Sequence, residues 1–259
     1  MEKRRLSVRN APKEEILSSR AMPPERQPRT SRNGRPQRRY LARRLEILRA
    51  AGRQFRSRGF METGMRDIAE AAELSPANLY NYFEGKHEIL FFCQDSSLDR
   101  MLAALEKARR ARADASAKLR LVIVSHLRCL LDEVEGSAAH LLTSALPAGP
   151  QRYLVAKRDR YELGVRNLIL SGMRGGEFIQ GDAALIARAM LGALNWSVQW
   201  FRPDGPMTAE EIAESLADYL IRGLLTKANS LRQFGRREKT GRVARKDISE
   251  NMGNRAAVA

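Results

Sequence analysis

Apolar side chains recur every three or four residues through most of the chain between residues 40 and 226. That spacing matches the turn of an α-helix, and no segment shows the alternation of apolar and polar residues that a half-buried strand requires. Leu41, Leu45, Leu48 and Phe55 form one such stripe, and Gly59 favours the left-handed conformation that ends a helix. The chain is therefore predicted to be all-α, with about nine or ten helices.

The helical pattern continues after Gly59 with few interruptions. Thr208 and Glu211 have the three-residue spacing of a capping box at the start of the last helix. The predicted helices after the first span residues 65–72, 76–83, 86–112, 115–134, 137–146, 151–173, 182–201 and 208–225.

The charge of the chain is concentrated at its two ends. Residues 1–39 hold 12 basic and four acidic side chains, and residues 227–259 hold nine basic and three acidic ones, whereas residues 40–226 hold 25 and 23. Residues 1–39 and 227–259 are therefore predicted to be disordered basic tails. Arg32, Arg35, Arg38 and Arg39 either contact DNA as an arm or belong to a solubilising tail.

Several classes of protein are disfavoured by composition. Two cysteines, Cys93 and Cys129, allow at most one disulfide, which favours a reduced, cytoplasmic setting. No apolar run is long enough to cross a membrane. His87, His126 and His140 lie apart from other potential metal ligands, and no nucleophile elbow or phosphate-binding loop occurs. We expect no metal, no cofactor and no catalytic site.

Residues 64–83 contain the pattern of a helix-turn-helix. Residues 65–72 favour a short helix, and Ser75 is a good N-cap for a second helix whose first residue is Pro76. Leu79 and Phe83 would face the core, while the other face presents short polar groups that suit the edges of bases in a major groove. The alternative is an ordinary helical hairpin in which Tyr80 and Phe83 are core residues.

The chain resembles the TetR family of bacterial transcriptional repressors over about residues 43–103. The matching runs are Ile47-Leu48-x-Ala50-Ala51-x-x-x-Phe55-x-x-x-Gly59-Phe60-x-x-Thr63-x-Met65-Arg66-Asp67-Ile68-Ala69 and Leu79-Tyr80-x-Tyr82-Phe83-x-x-Lys86-x-x-Ile89-Leu90. The resemblance implies a DNA-binding domain at residues 40–90 and a helical domain for ligand binding and dimerisation at residues 91–226. The predicted DNA contacts are Arg66, Ser75, Pro76, Ala77, Asn78, Tyr80, Asn81, Tyr82 and Lys86. Of these, Tyr80, Tyr82 and Lys86 are spaced to reach phosphates.

Two positions depart from the family pattern. Gly64 stands where the family usually has a capping serine or threonine, so a hydroxyl contact is lost. Glu73 replaces the usual turn glycine and would need a backbone conformation that glycine adopts more easily. We expect somewhat weaker DNA binding per head.

The second domain contains candidates for an effector site and a dimer interface. Residues 182–225 resemble the C-terminal part of TetR-family regulators that respond to acyl-CoA thioesters. The predicted effector contacts are Arg158, Asn195, Trp196, Gln199 and Trp200. Alternatively, the tryptophans fill the core or a subunit contact. Further candidates for the phosphates of a thioester are Arg160 and Arg166.

Two apolar stripes are predicted to form a four-helix dimer interface, although an intramolecular core would produce the same pattern. They are Leu185, Ile186, Ala189, Met190, Ala193 and Leu194 in one helix and Ile212, Leu216, Tyr219, Leu220 and Gly223 in the next. The sequence thus favours a homodimeric repressor that a small molecule releases from its DNA operator. The alternatives are a sequence-nonspecific nucleic-acid-binding protein driven by the basic tails, and a helical enzyme acting on a CoA thioester.

Overall fold

The computed structural model describes residues 34–131 and 143–229 of the 259-residue chain. Eight α-helices lie in these ranges: α1 Gly34–Arg58, α2 Met65–Ala71, α3 Pro76–Tyr80, α4 Lys86–Arg110, α5 Ala115–Leu131, α6 Ala148–Arg174, α7 Ala183–Trp200 and α8 Ala209–Arg222. A 3-10 turn, Thr143–Ala145, precedes α6. Apart from one isolated bridge between Phe178 and Leu225, the described residues contain no β-structure, so the all-α prediction is confirmed.

Several helix ends follow the capping residues that the sequence carries. The Oγ of Ser75 accepts a hydrogen bond from the Asn78 N–H at 3.2 Å, which starts α3. Thr208 and Glu211 form the predicted capping box at the start of α8. Gly59 takes a φ of +83° directly after α1. These local signals confirm the predicted starts of α3 and α8 and the end of α1.

Other helix boundaries differ from the predicted ones. The first helix, α1, begins at Gly34, so the prediction of a disordered tail through residue 39 is wrong for its last six residues. α3 ends at Tyr80 rather than at residue 83. Its last turn tightens because the N–H groups of Asn81 and Tyr82 bond to carbonyls three residues earlier.

Parts of the predicted organisation lie outside the described residues. These parts are residues 1–33, which include Arg32, most of the predicted helix at 137–146, the last residues of the predicted helix at 115–134, and residues 230–259. Residues 227–229, by contrast, are helical, so the prediction of a disordered C-terminal tail is wrong for its first three residues. The side-chain amide of Asn229 donates to the Thr226 hydroxyl at 2.9 Å.

Helices α1 to α3 form a small head, and α4 to α8 form a larger body. The core of the head is made by fully buried apolar side chains, among them Ile47, Phe55, Ile68 and Leu79. In the body, α5 packs against α4, α6, α7 and α8. The long helix α4 belongs to both parts, because it packs on α1 in the head and on α5 and α6 in the body.

Candidate functional site

The helix-turn-helix presents the predicted DNA-reading face to solvent. Leu79 and Phe83 are fully buried, and they fix α3 on the head. Ala69 is also buried, as the close crossing of two short helices requires. The outward side of α3 is exposed and consists of Pro76, Ala77, Asn78 and Tyr80. Asn81, the residue that follows α3, is exposed as well. The hairpin alternative placed Tyr80 and Phe83 in the core; Phe83 is buried there, but Tyr80 is 49% exposed, so the alternative is wrong for Tyr80.

The turn before α3 has the conformation that the sequence predicted. Glu73 takes a φ of +53°, the left-handed region that glycine occupies at lower cost. The Arg43 guanidinium holds this turn by donating hydrogen bonds to the carbonyl oxygens of Ala72 at 2.8 Å and Glu73 at 3.3 Å. Sequence reasoning missed Arg43, because it lies 29 residues before its partner Ala72.

The start of α2 keeps part of a cap despite the missing hydroxyl. The Gly64 N–H donates to Oδ2 of Asp67 at 2.7 Å, so the carboxylate of the first turn satisfies one backbone donor. Arg66, which is one of the predicted DNA contacts, is exposed on the same turn of α2.

Lys86 has a structural role that the sequence did not reveal. Its ammonium donates to the carbonyl oxygens of Phe60 at 3.1 Å, Met61 at 3.1 Å and Thr63 at 3.3 Å. It also lies 4.8 Å from the centre of the Phe60 ring. An ammonium has three N–H donors, and these three carbonyl oxygens are enough to use all of them. This set of partners differs from the phosphate contact that we expected of Lys86. The contacts tie the first residue of α4 to the loop between α1 and α2.

An aromatic cluster attaches the first half of α1 to the segment that follows α3. The rings of Tyr40 and Tyr82 stack with their centres 5.1 Å apart. The guanidinium of Arg44, whose residue is only 6% exposed, lies 4.8 Å from the centre of Phe83 and 4.4 Å from that of Phe92. Tyr82, a predicted DNA contact, is thus held from one side by α1.

The body contains a pocket of about 400 Å³ between four of its helices. This volume lies in the range of small-molecule sites. The lining side chains are Leu98 and Met101 of α4, His126 of α5, Arg158, Asp159, Tyr161 and Glu162 of α6, and Leu191 and Asn195 of α7. The pocket therefore has an apolar part and a polar part.

The polar part is organised around His126, which is 3% exposed. Its Nδ1 lies 3.1 Å from the Tyr161 hydroxyl, and its Nε2 lies 3.1 Å from Oδ1 of Asn195. Because an amide oxygen can only accept, Nε2 donates to Asn195, and Nδ1 accepts from Tyr161. Burial lowers the pKa of His126 to about 4 and raises the pKa of the Tyr161 phenol above its usual value. Both groups are therefore uncharged at neutral pH.

Only some of the predicted effector residues line this pocket. Asn195 and Arg158 do, and burial lowers the pKa of Arg158 from its usual value. Trp196, Gln199 and Trp200 lie instead on the exposed outer side of α7, because Leu194 and Ser197 take the inward side. This corrects the prediction that they form pocket walls. Sequence reasoning also missed His126 and Tyr161, although a histidine within the apolar face of α5 was a usable signal.

The other two candidate arginines are placed differently. Arg166 donates to both carboxylate oxygens of Glu162, at 2.7 and 2.8 Å, so it neutralises a side chain of the pocket. Arg160 is exposed on α6 and is not among the lining side chains of the described pocket.

Comparisons with known proteins agree with this architecture. The family model described as "Bacterial regulatory proteins, tetR family" matches residues 47–91, and the model "Tetracyclin repressor-like, C-terminal domain" matches residues 112–224. The structure of the TetR-family transcriptional regulator PfmR from Thermus thermophilus is 37% identical, with a TM-score of 0.63. That similarity covers 70% of this chain and 99% of PfmR. The chain belongs to the TetR family.

Two further relatives are more distant. The HTH-type transcriptional repressor KstR2 of Rhodococcus jostii is 24% identical over 72% of this chain and 93% of its own length. The structure of AibR in complex with isovaleryl coenzyme A and operator DNA is 23% identical, covers 71% of this chain and 98% of AibR, and has a TM-score of 0.59. At these identities the two relatives support the TetR fold.

The outer face of α7 and α8 in the TetR-type body contains several exposed apolar and aromatic side chains. It includes Trp196, which is 64% exposed, Trp200, which is 47% exposed, and Tyr219, which is 74% exposed. On α7 this outer face also contains Leu185, Ala189 and Ala193, and on α8 the half-buried Leu216 and Leu220 lie beside Tyr219. Met190, Leu194 and Ile212, which were predicted to lie in the interface, are buried within the chain's own core.

Other kinds of site are scarce in the described part of the chain. No helix of residues 34–131 and 143–229 has the length and apolar character that a membrane span needs. The same residues hold no group of three or more potential metal ligands. Cys93 and Cys129 are not joined in a disulfide, and burial raises the pKa of Cys93 to about 12.

Proposed function

We propose that the chain is a homodimeric, ligand-responsive repressor that a small molecule releases from its operator. The observation that carries this proposal is the course of α4. Its first residue, Lys86, is hydrogen-bonded to the head, while Leu98 and Met101 of the same helix line the pocket. A ligand that binds better to one position of α4 would therefore shift the orientation of the head.

On the DNA side, α3 is the element that enters the major groove. Asn78 and Asn81 carry amides that can pair with the edge of an adenine, and Tyr80 and Arg66 are exposed beside them. Ser75, Pro76 and Ala77 bring the start of α3 close to the bases because their side chains are small.

A dimer would give two such heads the spacing of two half-sites. Half-sites that lie on one side of the duplex are about 34–36 Å apart. The apolar outer face of α7 and α8, with Trp196, Trp200 and Tyr219, supports a four-helix interface between two copies.

The effector that we propose for the pocket is an acyl-CoA thioester. Leu98, Met101 and Leu191 offer an apolar lining for an acyl chain. The amide of Asn195 uses its oxygen to accept from His126, so its N–H donors can bind the thioester carbonyl. Arg158 supplies a positive charge at the same pocket, and AibR, a relative of the same fold, was solved with isovaleryl coenzyme A.

A DNA titration tests the regulator directly. The wild-type chain and the Asn81→Ala variant would be titrated with the duplex from the chain's own upstream intergenic region and with a scrambled duplex. Loss of a base contact of about 1–3 kcal/mol in each of two half-sites should weaken specific binding about 30-fold or more. Asn167→Ala, which removes an exposed amide from α6, is the matched control and should bind normally.

The same titration distinguishes a specific repressor from the alternative, a sequence-nonspecific nucleic-acid-binding protein. If the wild type binds both duplexes equally, and removal of residues 1–33 and 230–259 abolishes binding, the chain is a sequence-nonspecific binder driven by its tails.

A further inference from the structure

The first three turns of α1 form a strongly basic segment before the matched part of the family begins. The N-terminal family model starts at residue 47, and α1 starts at Gly34. No acidic residue precedes Glu46 in this helix. The arginines of this segment are Arg35, Arg38, Arg39, Arg43 and Arg44.

An open groove runs between this segment and Tyr82, the second residue after α3. We call it the α1 groove; it is lined by Pro36, Arg39, Tyr40, Arg43 and Tyr82 and has a volume of about 760 Å³. Arg39 and the adjacent Arg38 are both exposed to solvent. The groove is therefore wide, accessible and positively charged.

The α1 groove is held in a fixed position beside α3. In the segment that precedes α3, the carbonyl oxygen of Ala72 accepts a hydrogen bond from Arg43 at 2.8 Å. In the segment that follows α3, Tyr82 stacks on Tyr40, and the ring of Phe83 lies under the guanidinium of Arg44. Because α1 is attached both before and after α3, the groove lies next to whatever α3 contacts.

Because this segment is helical, its diameter limits which groove of a DNA duplex it can enter. A helix with side chains is about 10–12 Å across, whereas the minor groove of B-DNA is about 6 Å wide. A helical α1 therefore does not enter the minor groove, as an extended arm would. With α3 in the major groove, the surface beside it faces the phosphates that border that groove.

We propose that the α1 groove binds the phosphodiester backbone of the DNA that flanks each half-site, with Arg39 and the adjacent Arg38 as its charged contacts. The inference rests on the proposed operator binding and extends the DNA interface beyond the helix-turn-helix. Contacts to phosphates fix the position of the protein on the duplex and do not depend on base sequence. Neutralised phosphates release counterions, so the contribution of this groove falls as salt rises.

The test compares two double variants across a range of salt concentrations. Arg38→Gln with Arg39→Gln removes the proposed contacts, and both side chains are exposed, so the fold is unaffected. Arg110→Gln with Arg112→Gln removes the same charge from the far end of α4, about 36 Å along a 25-residue helix from Lys86. The dissociation constant is measured for the chain's own upstream duplex and for a scrambled duplex.

The first variant should weaken binding to both duplexes by a similar factor. The slope of log Kd against log salt should fall by about 1.8 per protomer, because each lost phosphate contact changes it by about 0.9. A slope equal to that of the Arg110/Arg112 variant would overturn the proposal. Weakening confined to the upstream duplex would also overturn it, since it would indicate base recognition.

The test remains informative if the proposed function fails. A wild type that does not prefer its upstream duplex contradicts the specific repressor. The slopes on the scrambled duplex still decide whether the α1 groove binds DNA backbone.

Discussion

The head and the body assemble their functional surfaces in different ways. In the head, the side chains of the helix-turn-helix that we propose to contact DNA come from one short stretch, from Arg66 to Tyr82. In the body, the pocket takes its residues from four helices, between Leu98 of α4 and Asn195 of α7. Rules of local structure therefore position the first surface, whereas packing between distant segments positions the second.

The two surfaces also differ in how they relate to stability. Tyr80 and Asn81 are exposed, so their removal should change the proposed DNA binding with little effect on folding. His126 and Tyr161 are buried and hydrogen-bonded, so their removal affects the fold as well as the pocket. Function and stability can thus be separated by mutation in the head more easily than in the body.

The largest expected effect concerns the outer face of the body, which we propose is completed by a partner. Trp196→Arg places a charge on that face once in each protomer of a two-fold dimer, so at about 2 kcal/mol per protomer it should weaken dimerisation by about 4 kcal/mol, which is roughly 1,000-fold. Sedimentation equilibrium measures the change. Leu163→Arg, on an exposed apolar residue of α6, is the control and should leave the association constant unchanged. Unchanged association of the Trp196→Arg variant would show that the body needs no partner there.

The second effect tests the buried polar network of the pocket. The pKa of His126 is about 4 in the folded chain and about 6.5 when unfolded. Between these values the unfolded state binds more protons, so the free energy of unfolding should fall by about 3 kcal/mol from this group as pH drops from 7 to 4. Denaturant unfolding at several pH values measures it.

Two variants isolate this contribution. His126→Gln keeps a donor and an acceptor but cannot titrate, so it should lack this part of the pH dependence. Leu163→Gln changes an exposed residue of α6 that cannot titrate, and it should keep the wild-type dependence. Equal pH dependence in the wild type and His126→Gln would contradict the assigned network.

The third effect examines how tightly the body is packed near the end of α6. A Cβ at Gly172 would lie 2.2 Å from a ring carbon of the buried Phe178. Gly172→Ala should therefore lower the free energy of unfolding by about 1–2 kcal/mol, although alanine favours a helix. At Gly175, at the end of the same helix, an added Cβ keeps an ordinary distance of 3.4 Å from the Ser171 carbonyl oxygen and φ is −77°, so Gly175→Ala should be at least as stable as the wild type. Equal melting temperatures of the two variants would contradict this packing.

The smallest effect concerns the head. Glu73 has a φ of +53°, so Glu73→Gly should raise the free energy of unfolding by about 1 kcal/mol. Glu70→Gly, in the neighbouring helix α2, should lower it by about as much because glycine disfavours a helix. Thermal unfolding compares them, and a loss of stability in Glu73→Gly would show that the turn is not strained.

The elements that sequence predicts well here depend on neighbours in the chain. The cap at Ser75, the box at Thr208 and Glu211, and the left-handed Glu73 all involve residues within a few positions of one another. The contacts of Arg43 and Arg44 were missed because their partners lie far along the chain.

The pocket shows the same limit more strongly. Asn195, Trp196, Gln199 and Trp200 share one stretch of α7, and residue type alone does not tell which of them point inward. The structure places Asn195 beside His126 and the tryptophans outside. The stripe that faces the core is decided by packing against α5 and α6, which a single helix does not encode.

The most direct test of the proposed regulation is whether a ligand in the body pocket releases the head from DNA. Affinity for the upstream duplex would be measured with a panel of acyl-CoA thioesters of increasing chain length and with free coenzyme A. The same titrations use Leu191→Trp, which fills the pocket. We predict that at least one thioester weakens DNA binding of the wild type, while Leu191→Trp binds DNA and does not respond. A wild type indifferent to every thioester, or a variant that responds equally, would contradict control of the head by this pocket through an acyl-CoA.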